Sequence, residues 1–231
     1  LALESASMAD EWSAAVDPGQ IGAVLTDTAF GHMWALHLAL AATLVAVVAV
    51  GPGARWAATA VASGALLASL GLVGHAAMQT GAEGALHRAN HAVHLMAAGA
   101  WIGGLVPFAM CLRVYERYDL RQDAVRAMAG FSFWGQFIVA AVVLTGIVNI
   151  ALTSHRAPIP PTTPYRAMLV AKLIIVTIMI LLALFNRFVL TPRLKASANA
   201  LTTLRATSAA EVALGCVVIA LVSVFALLDP A

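Results

Sequence analysis

Six long apolar segments, separated by short stretches rich in proline, glycine or charge, dominate the pattern of this chain. A bilayer core of about 30 Å requires about 20 apolar residues of helix, because only a helix or a closed barrel satisfies its own backbone hydrogen bonds there. None of the segments has the short alternating pattern of a membrane strand. The pattern therefore predicts six membrane-spanning helices, at residues 29–50, 54–79, 89–112, 130–153, 164–190 and 207–228.

The composition agrees with this pattern. The chain is 61% hydrophobic and 10% charged, whereas a soluble domain is about half apolar and about a quarter charged. The net charge of +2 gives no electrostatic support for a nucleic-acid partner. Cys111 and Cys216 lie in apolar runs without CxxC spacing, so we interpret them as packing residues. We predict an all-α, polytopic membrane protein whose surroundings are the lipid bilayer.

The first 28 residues differ from the rest. They are acidic, contain no lysine or arginine, and begin LALESASMAD without a basic region ahead of an apolar stretch. They therefore do not have the pattern of a signal peptide and resemble the end of an earlier helix, so we expect the natural protein to extend further toward its N-terminus. We divide the chain into an outer segment, 1–28, and a six-helix transmembrane domain, 29–231.

Lysine and arginine are distributed unevenly between the two sides that six spans create. Inner loops of membrane proteins carry an excess of both residues. With segment 1–28 outside, the outer loops carry three of the 13, and Lys172 lies within a span. The nine inner residues are Arg55, Arg113, Arg117, Arg121, Arg126, Arg187, Arg193, Lys195 and Arg205. The bias predicts that both ends of the chain face outward.

One inner loop, 113–129, begins RVYERYDLRQDAVRA, with mixed charge at helical spacing. Charged side chains three or four residues apart are neighbours on one face of a helix. We therefore expect this loop to form a short amphipathic extension of the third helix.

All of the histidines fall on the outer side of this topology. Polar groups at membrane depth are costly and usually functional, so this bias is the strongest functional signal in the chain. The seven are His32, His37, His75, His87, His91, His94 and His155.

Helical spacing sharpens the signal. His87, His91 and His94 are at i, i+4 and i+7, and His75 and Met78 are at i and i+3, so each set shares a helix face. Imidazole nitrogen and thioether sulfur together suit copper. The short link between the second and third spans makes them neighbours. Two or three of these ligands are then able to converge on one copper ion.

Each of these residues also has a simpler interpretation. His87 and His155 fit equally well as interfacial side chains bonded to water or backbone. Met78 in an apolar helix counts as a ligand only beside a histidine. His37 has a rival role as a haem axial ligand or a polar contact between helices. Lys172 either extends its ammonium group to water or forms a fixed positive charge on a transport pathway.

Several short motifs stand out along most of the chain. They are Gly74-His75-Ala76, HAVHLMAAGAWIGGL at 91–105, TGIVN at 145–149, YRAMLVAKL at 165–173, Asn186-Arg187 and Pro192-Arg193. Together they resemble the copper resistance protein D family, and HxxHxxAAGxWxGGL is the most specific of them.

The resemblance implies a bacterial inner-membrane protein that handles copper on its periplasmic side with a small periplasmic copper carrier. Members commonly have about eight helices, so six spans imply a chain shortened at its N-terminus. Matched residue by residue, the resemblance implies His75, His91 and His94 as copper ligands and a role for Lys172.

We therefore predict a copper transfer or uptake protein that binds copper at His75, His91 and His94, with His32 and Met78 as further ligands, and passes it inward beyond Lys172. The alternative is a membrane b-type cytochrome in which His37 and either His75 or His94 hold haem b. CxxCH is absent, so covalent haem is not expected. A third interpretation is a structural subunit without metal. The sequence has no GxSxG, HExxH or phosphate loop, so we predict no enzymatic activity.

Overall fold

The computed structural model describes residues 11–50, 55–72, 80–154, 163–194 and 198–225. All regular secondary structure in these ranges is helical. After a 3₁₀ turn at Trp12–Ala15, the helices are α1 (Pro18–Asp27), α2 (Ala29–Ala49), α3 (Arg55–Ser69), α4 (Gly81–Val114), α5 (Arg121–Ser154), α6 (Pro164–Phe185) and α7 (Ala198–Phe225). A 3₁₀ turn, Leu70–Leu72, continues α3, and a π-helical turn, Asn186–Leu190, continues α6 into a last turn, Thr191–Arg193.

Five of these helices are long and apolar enough to cross a membrane: α2, α4, α5, α6 with its continuation, and α7. A shorter apolar helix, Trp56–Leu72, covers the first part of the predicted second span, and residues 73–79 of that span lie outside the described residues. Large apolar side chains such as Val45, Leu144 and Leu181 are exposed, as expected of surfaces that face lipid. The prediction of an all-α polytopic membrane protein is confirmed.

The mixed-charge segment after α4 differs from its prediction. Helix α4 ends at Val114, and residues from Arg121 onward form the first turns of α5. The expected amphipathic extension of the third helix is therefore wrong. The charged residues from Arg121 onward are helical as expected, but they extend the beginning of α5 and not the end of α4.

Thr28 separates α1 from α2. Its backbone is extended (φ −116°, ψ 148°), and its hydroxyl accepts a hydrogen bond from the Gly31 N–H at 2.8 Å. A hydroxyl at this position replaces a missing helical acceptor and so starts α2. A Cβ atom on Gly31 would overlap the Val24 carbonyl of α1. Glycine at this position therefore allows α1 to fold closely against α2.

The chain divides into two compact units, with the division between Met96 and Ala97 inside α4. In the first unit, α1 packs on α2 and α2 packs on α3. Six of the seven histidines precede the division.

The second unit is built from the later part of α4 with α5, α6 and α7. Two buried clusters of apolar side chains stabilise it, and each draws on several of these helices. One contains Leu112, Tyr115, Met128, Leu190, Leu201 and Leu204, and the other contains Trp101, Leu105, Val142, Met179 and Val218.

Arg205 joins the beginning of α7 to the end of α4. Its Nε and Nη2 both donate to the Leu112 carbonyl, at 3.2 and 2.8 Å, and Nη2 also donates to Glu116 at 2.9 Å. The last carbonyls of a helix lack intrahelical partners and carry partial negative charge. The guanidinium group therefore caps the C-terminal turn of α4.

Candidate metal site

Three histidines occupy consecutive turns near the beginning of α4. His87 and His94 are only 4% and 9% exposed, and His91 is half-buried. Because α4 is already helical from Gly81, the three side chains share one face of the helix. This face is turned into the protein at His87 and His94, so the surrounding protein confines these two imidazole groups.

The end of α3 lies directly against these turns. A Cβ atom on Gly71 would lie 3.2 Å from the Arg88 carbonyl and 3.6 Å from the Ala92 Cβ. Arg88 and Ala92 directly follow His87 and His91, so the backbone of α3 approaches α4 beside the histidine face. The predicted adjacency of the second and third spans is confirmed at this point.

His37 of α2 reaches the same end of α3. Its Nδ1 lies 2.7 Å from the Ser69 hydroxyl, which donates its single proton to the Leu66 carbonyl at 2.7 Å. The hydroxyl must therefore accept from His37, so Nδ1 carries a proton, and in the neutral imidazole Nε2 keeps its lone pair. Trp34 packs edge-on against this ring, with centroids 5.3 Å apart. Ser69 and Trp34 together fix the orientation of the His37 ring.

His32 lies at the beginning of α2 and is exposed. Its Nε2 is 2.6 Å from the Thr26 carbonyl. A carbonyl only accepts, so Nε2 donates, and in the neutral imidazole Nδ1 is the ring nitrogen with a lone pair. This predicted ligand is therefore attached to the turn between α1 and α2.

The remaining predicted ligands, His75 and Met78, lie outside the described residues, as does His155. Within the described ranges, no three His, Cys, Asp or Glu side chains form a group that could hold a metal ion. The described part of the first unit thus supplies an oriented imidazole on α2 and buried imidazoles on α4, and the complete five-residue set stays a prediction.

Lys172 lies on α6 in the second unit and is half-buried. Within the described residues its ammonium group has no ion pair. Lys172, Met179 and Asn186 are spaced by seven residues and so follow one face of α6. A role for Lys172 on a transport pathway stays a prediction.

A buried polar group in the second unit was not predicted from the sequence. Asn186 Nδ2 donates to Glu211 Oε1 at 2.5 Å, and the Thr207 hydroxyl donates to Asn186 Oδ1 at 2.5 Å. The Ser208 hydroxyl is buried and has no hydrogen-bond partner among the described residues. We call Asn186, Thr207, Ser208 and Glu211 the α6–α7 polar cluster. The available signal was a carboxylate four residues inside the predicted sixth span, where charge is costly.

Comparison with known proteins places the chain in a family. Residues 125–225 match the model described as copper resistance protein D, and residues 1–85 match the model of the copper resistance protein D-like N-terminal domain. Inner membrane protein YebZ of Escherichia coli strain K12 is 33% identical over 231 residues, covering 100% of this chain and 79% of the relative. No solved structure matches.

Two further relatives have names that refer to copper. Copper resistance protein D of Pseudomonas syringae pv. tomato is 31% identical over 242 residues, covering 100% of this chain and 77% of the relative. Copper transport protein CutJ of Bacillus subtilis strain 168 is 27% identical over 147 residues, covering 60% of this chain and 26% of the relative.

Fold, composition and relatives together define a multi-pass α-helical protein of the bacterial inner membrane. The chain belongs to the copper resistance protein D family, a group of membrane proteins concerned with copper. The relatives that match are named for copper resistance, copper transport or their membrane location, and none is named as an enzyme.

Proposed function

We propose that this protein transfers or takes up copper across the inner membrane and binds it at a histidine site near the periplasmic face. The observation that carries the proposal is the ring of His37. Ser69 fixes its proton on Nδ1 and so leaves Nε2 able to coordinate a metal. Neutral imidazole is a good ligand for copper, and a second hydrogen bond to the ring is the usual way to orient it.

Packing within the first unit supports a shared site. Ser69 and Gly71 are two residues apart at the end of α3. Ser69 holds His37 of α2, and Gly71 approaches the α4 turn that lies between His87 and His91. The His37 imidazole and the histidine-bearing turns of α4 therefore approach the same end of a third helix. His91 and His94 of α4, with His75 and Met78, complete the ligand set that we propose, and His32 joins it from the beginning of α2.

The charge bias supports the periplasmic orientation. On the predicted topology, nine of the 13 lysines and arginines fall on the side opposite the histidines, and positively charged loops usually remain in the cytoplasm. A small periplasmic copper carrier is then able to reach the histidine side. We propose that copper arrives from such a carrier and passes inward beyond Lys172.

Metal titration of the detergent-purified full chain tests the proposed function. We expect binding of Cu(I) in competition with a chelator of known affinity, and no Soret band in the absorbance spectrum. A Soret band would instead support the b-type cytochrome, with His37 as one ligand. Absence of both copper binding and haem would contradict the proposal and favour a structural subunit.

Replacement of Ser69 by alanine tests the orientation of His37. The variant removes the acceptor of the Nδ1 proton, so the ring is free to rotate and to exchange its tautomer. Losing such a supporting partner commonly lowers metal affinity by about tenfold or more, and we expect a loss of about tenfold in Cu(I) competition.

Two further variants complete this experiment. Ser69→Thr keeps the hydroxyl and should retain affinity. Thr43→Ala removes an exposed hydroxyl whose one partner among the described residues is the Ala39 carbonyl of its own helix, and should leave copper binding unchanged. Equal affinity of Ser69→Ala and the wild-type protein would remove His37 from the proposed ligand set.

A further inference from the structure

The α6–α7 polar cluster places a carboxyl group in the interior of the second unit. Glu211 is 2% exposed, and its one hydrogen-bond partner among the described residues is the neutral amide of Asn186. Glu211 lies four residues inside the predicted sixth span, and Asn186 lies four residues inside the end of the predicted fifth. At 1.5 Å per residue, both are about 6 Å from the same membrane boundary.

Arg187 and Arg205, the basic residues nearest in sequence to Asn186 and Glu211, bond to other groups. Arg187 donates to the backbone carbonyl and the hydroxyl of Ser132, and Arg205 donates to Leu112 and Glu116. Glu211 has no ion pair among the described residues. The other charged side chains that the structure describes in this unit are Arg113, Arg117, Asp119, Arg121, Asp123, Arg126, Arg166, Lys172 and Arg193, and none of them is a partner of Glu211. The part of the unit that the structure describes therefore supplies no positive charge in contact with this carboxylate.

Hydrogen bonds hold both the side-chain amide and the backbone carbonyl of Asn186 in place. Its Oδ1 accepts from Thr207, its Nδ2 donates to Glu211, and its backbone carbonyl accepts from the Thr191 hydroxyl and the Thr191 N–H. Asn186 also begins the π-helical turn, a local insertion that often marks functional sites in membrane and soluble helices. The amide orientation is thus determined by the network, with its N–H toward the carboxyl group.

Ser208 is another buried polar group in the interior of this unit. Its side chain is 1% exposed, and its hydroxyl has no hydrogen-bond partner among the described residues. Serine in a helix ordinarily bonds to a carbonyl of its own preceding turn, as Ser223 does on the same helix. Ser208 and Glu211 are at i and i+3, so both lie on one face of α7. An unpaired buried hydroxyl on the same helix face as a buried carboxyl group indicates a ligand that both are able to contact.

We propose that Glu211, Ser208 and their partners in the α6–α7 polar cluster bind a small hard cation, either a proton or a sodium ion. An isolated carboxylate at this depth is too costly to persist, so a positive charge must accompany it. Carboxylate and hydroxyl oxygens are hard donors, which prefer such ions to the soft Cu(I) ion. The bound cation neutralises Glu211 and satisfies the Ser208 hydroxyl. This site does not depend on the histidines or on copper binding.

Two measurements on the purified full chain distinguish the two cations. For sodium, the thermal unfolding temperature is measured while NaCl replaces choline chloride at constant ionic strength. For the proton, infrared spectra of the wild-type protein and Glu211→Gln are subtracted at pH 7 in the absence of sodium. We expect either a sodium-dependent rise in unfolding temperature that Glu211→Gln loses, or a protonated-carboxyl band that is present only in the wild-type protein.

Ser208→Ala and Ser223→Ala complete the experiment. Loss of one oxygen ligand should weaken apparent sodium affinity about fivefold, in line with the net value of one hydrogen bond, or should shift the carboxyl band. Ser223→Ala, which removes an exposed hydroxyl from the same helix, should behave as the wild-type protein. The proposal is overturned if the wild-type protein shows neither the sodium effect nor the carboxyl band, or if Ser208→Ala matches Ser223→Ala in both measurements.

Discussion

Copper affinity should fall by more than about tenfold when His94 is replaced by alanine. His94 is 9% exposed and shares its helix face with His87 and His91, so the surrounding protein confines its ring in the proposed copper site. Removal of one imidazole from a preorganised site loses a metal–nitrogen bond that water replaces poorly, and even supporting residues of such sites are worth about 10–100-fold in affinity. Competition between the detergent-purified protein and a Cu(I) chelator measures the change.

The neighbouring residue provides a matched control. Val93 is on the same turn of α4 but is exposed, so Val93→Ala should keep wild-type affinity. His94→Met keeps a soft ligand at the position and should recover part of the Cu(I) affinity that alanine loses. Full affinity of His94→Ala, in protein that unfolds at the wild-type temperature, would exclude His94 as a ligand.

The largest effect on stability should come from Leu204→Ala. Leu204 is 0% exposed and packs with Leu112, Met128 and Leu190 in one of the two apolar clusters of the second unit. A leucine truncated to alanine in a close-packed interior typically costs about 2–5 kcal/mol, because the surrounding side chains fill the cavity only partly. We expect a lower thermal unfolding temperature in detergent, and copper affinity measured on the folded protein should change little.

Leu181→Ala is the control for this experiment. Leu181 lies on α6 with its side chain exposed, where detergent or lipid replaces the lost methyl groups. Its unfolding temperature should remain close to that of the wild-type protein. A Leu204→Ala protein as stable as Leu181→Ala would mean that the cluster does not pack as the structure shows.

The ends of a helix could be predicted from the sequence where they coincide with the ends of an apolar segment. Helix α2 was expected at 29–50 and observed at Ala29–Ala49, because a threonine cap precedes it and glycine and proline follow it. Helix α4 was expected from residue 89 but begins at Gly81. The added turns carry Glu83, which water solvates, so hydropathy does not detect them although they are helical. Helix ends beyond the bilayer follow local hydrogen bonding rather than burial.

The candidate site likewise has a part that could be predicted from the sequence and a part that could not. Spacing within one helix was sufficient to group His87, His91 and His94. The contact between His37 and Ser69 joins residues 32 positions apart, and that between Asn186 and Glu211 joins residues 25 positions apart. Such pairs depend on the rotation and depth of two helices, which no periodicity within either helix specifies. Buried pairs between helices therefore required the structure.

The guanidinium group that caps α4 links membrane insertion to folding. Arg205 is one of the basic residues that set the charge bias of the loops, and the carbonyl it caps belongs to another helix. If the loop before α7 were inserted on the opposite face of the membrane, Arg205 would be a membrane's thickness away from Leu112. Arg205 therefore favours the correct topology twice, first through the charge of its loop and then through its hydrogen bonds when the helices assemble. A chain with one inverted hairpin would leave the last turn of α4 without its cap.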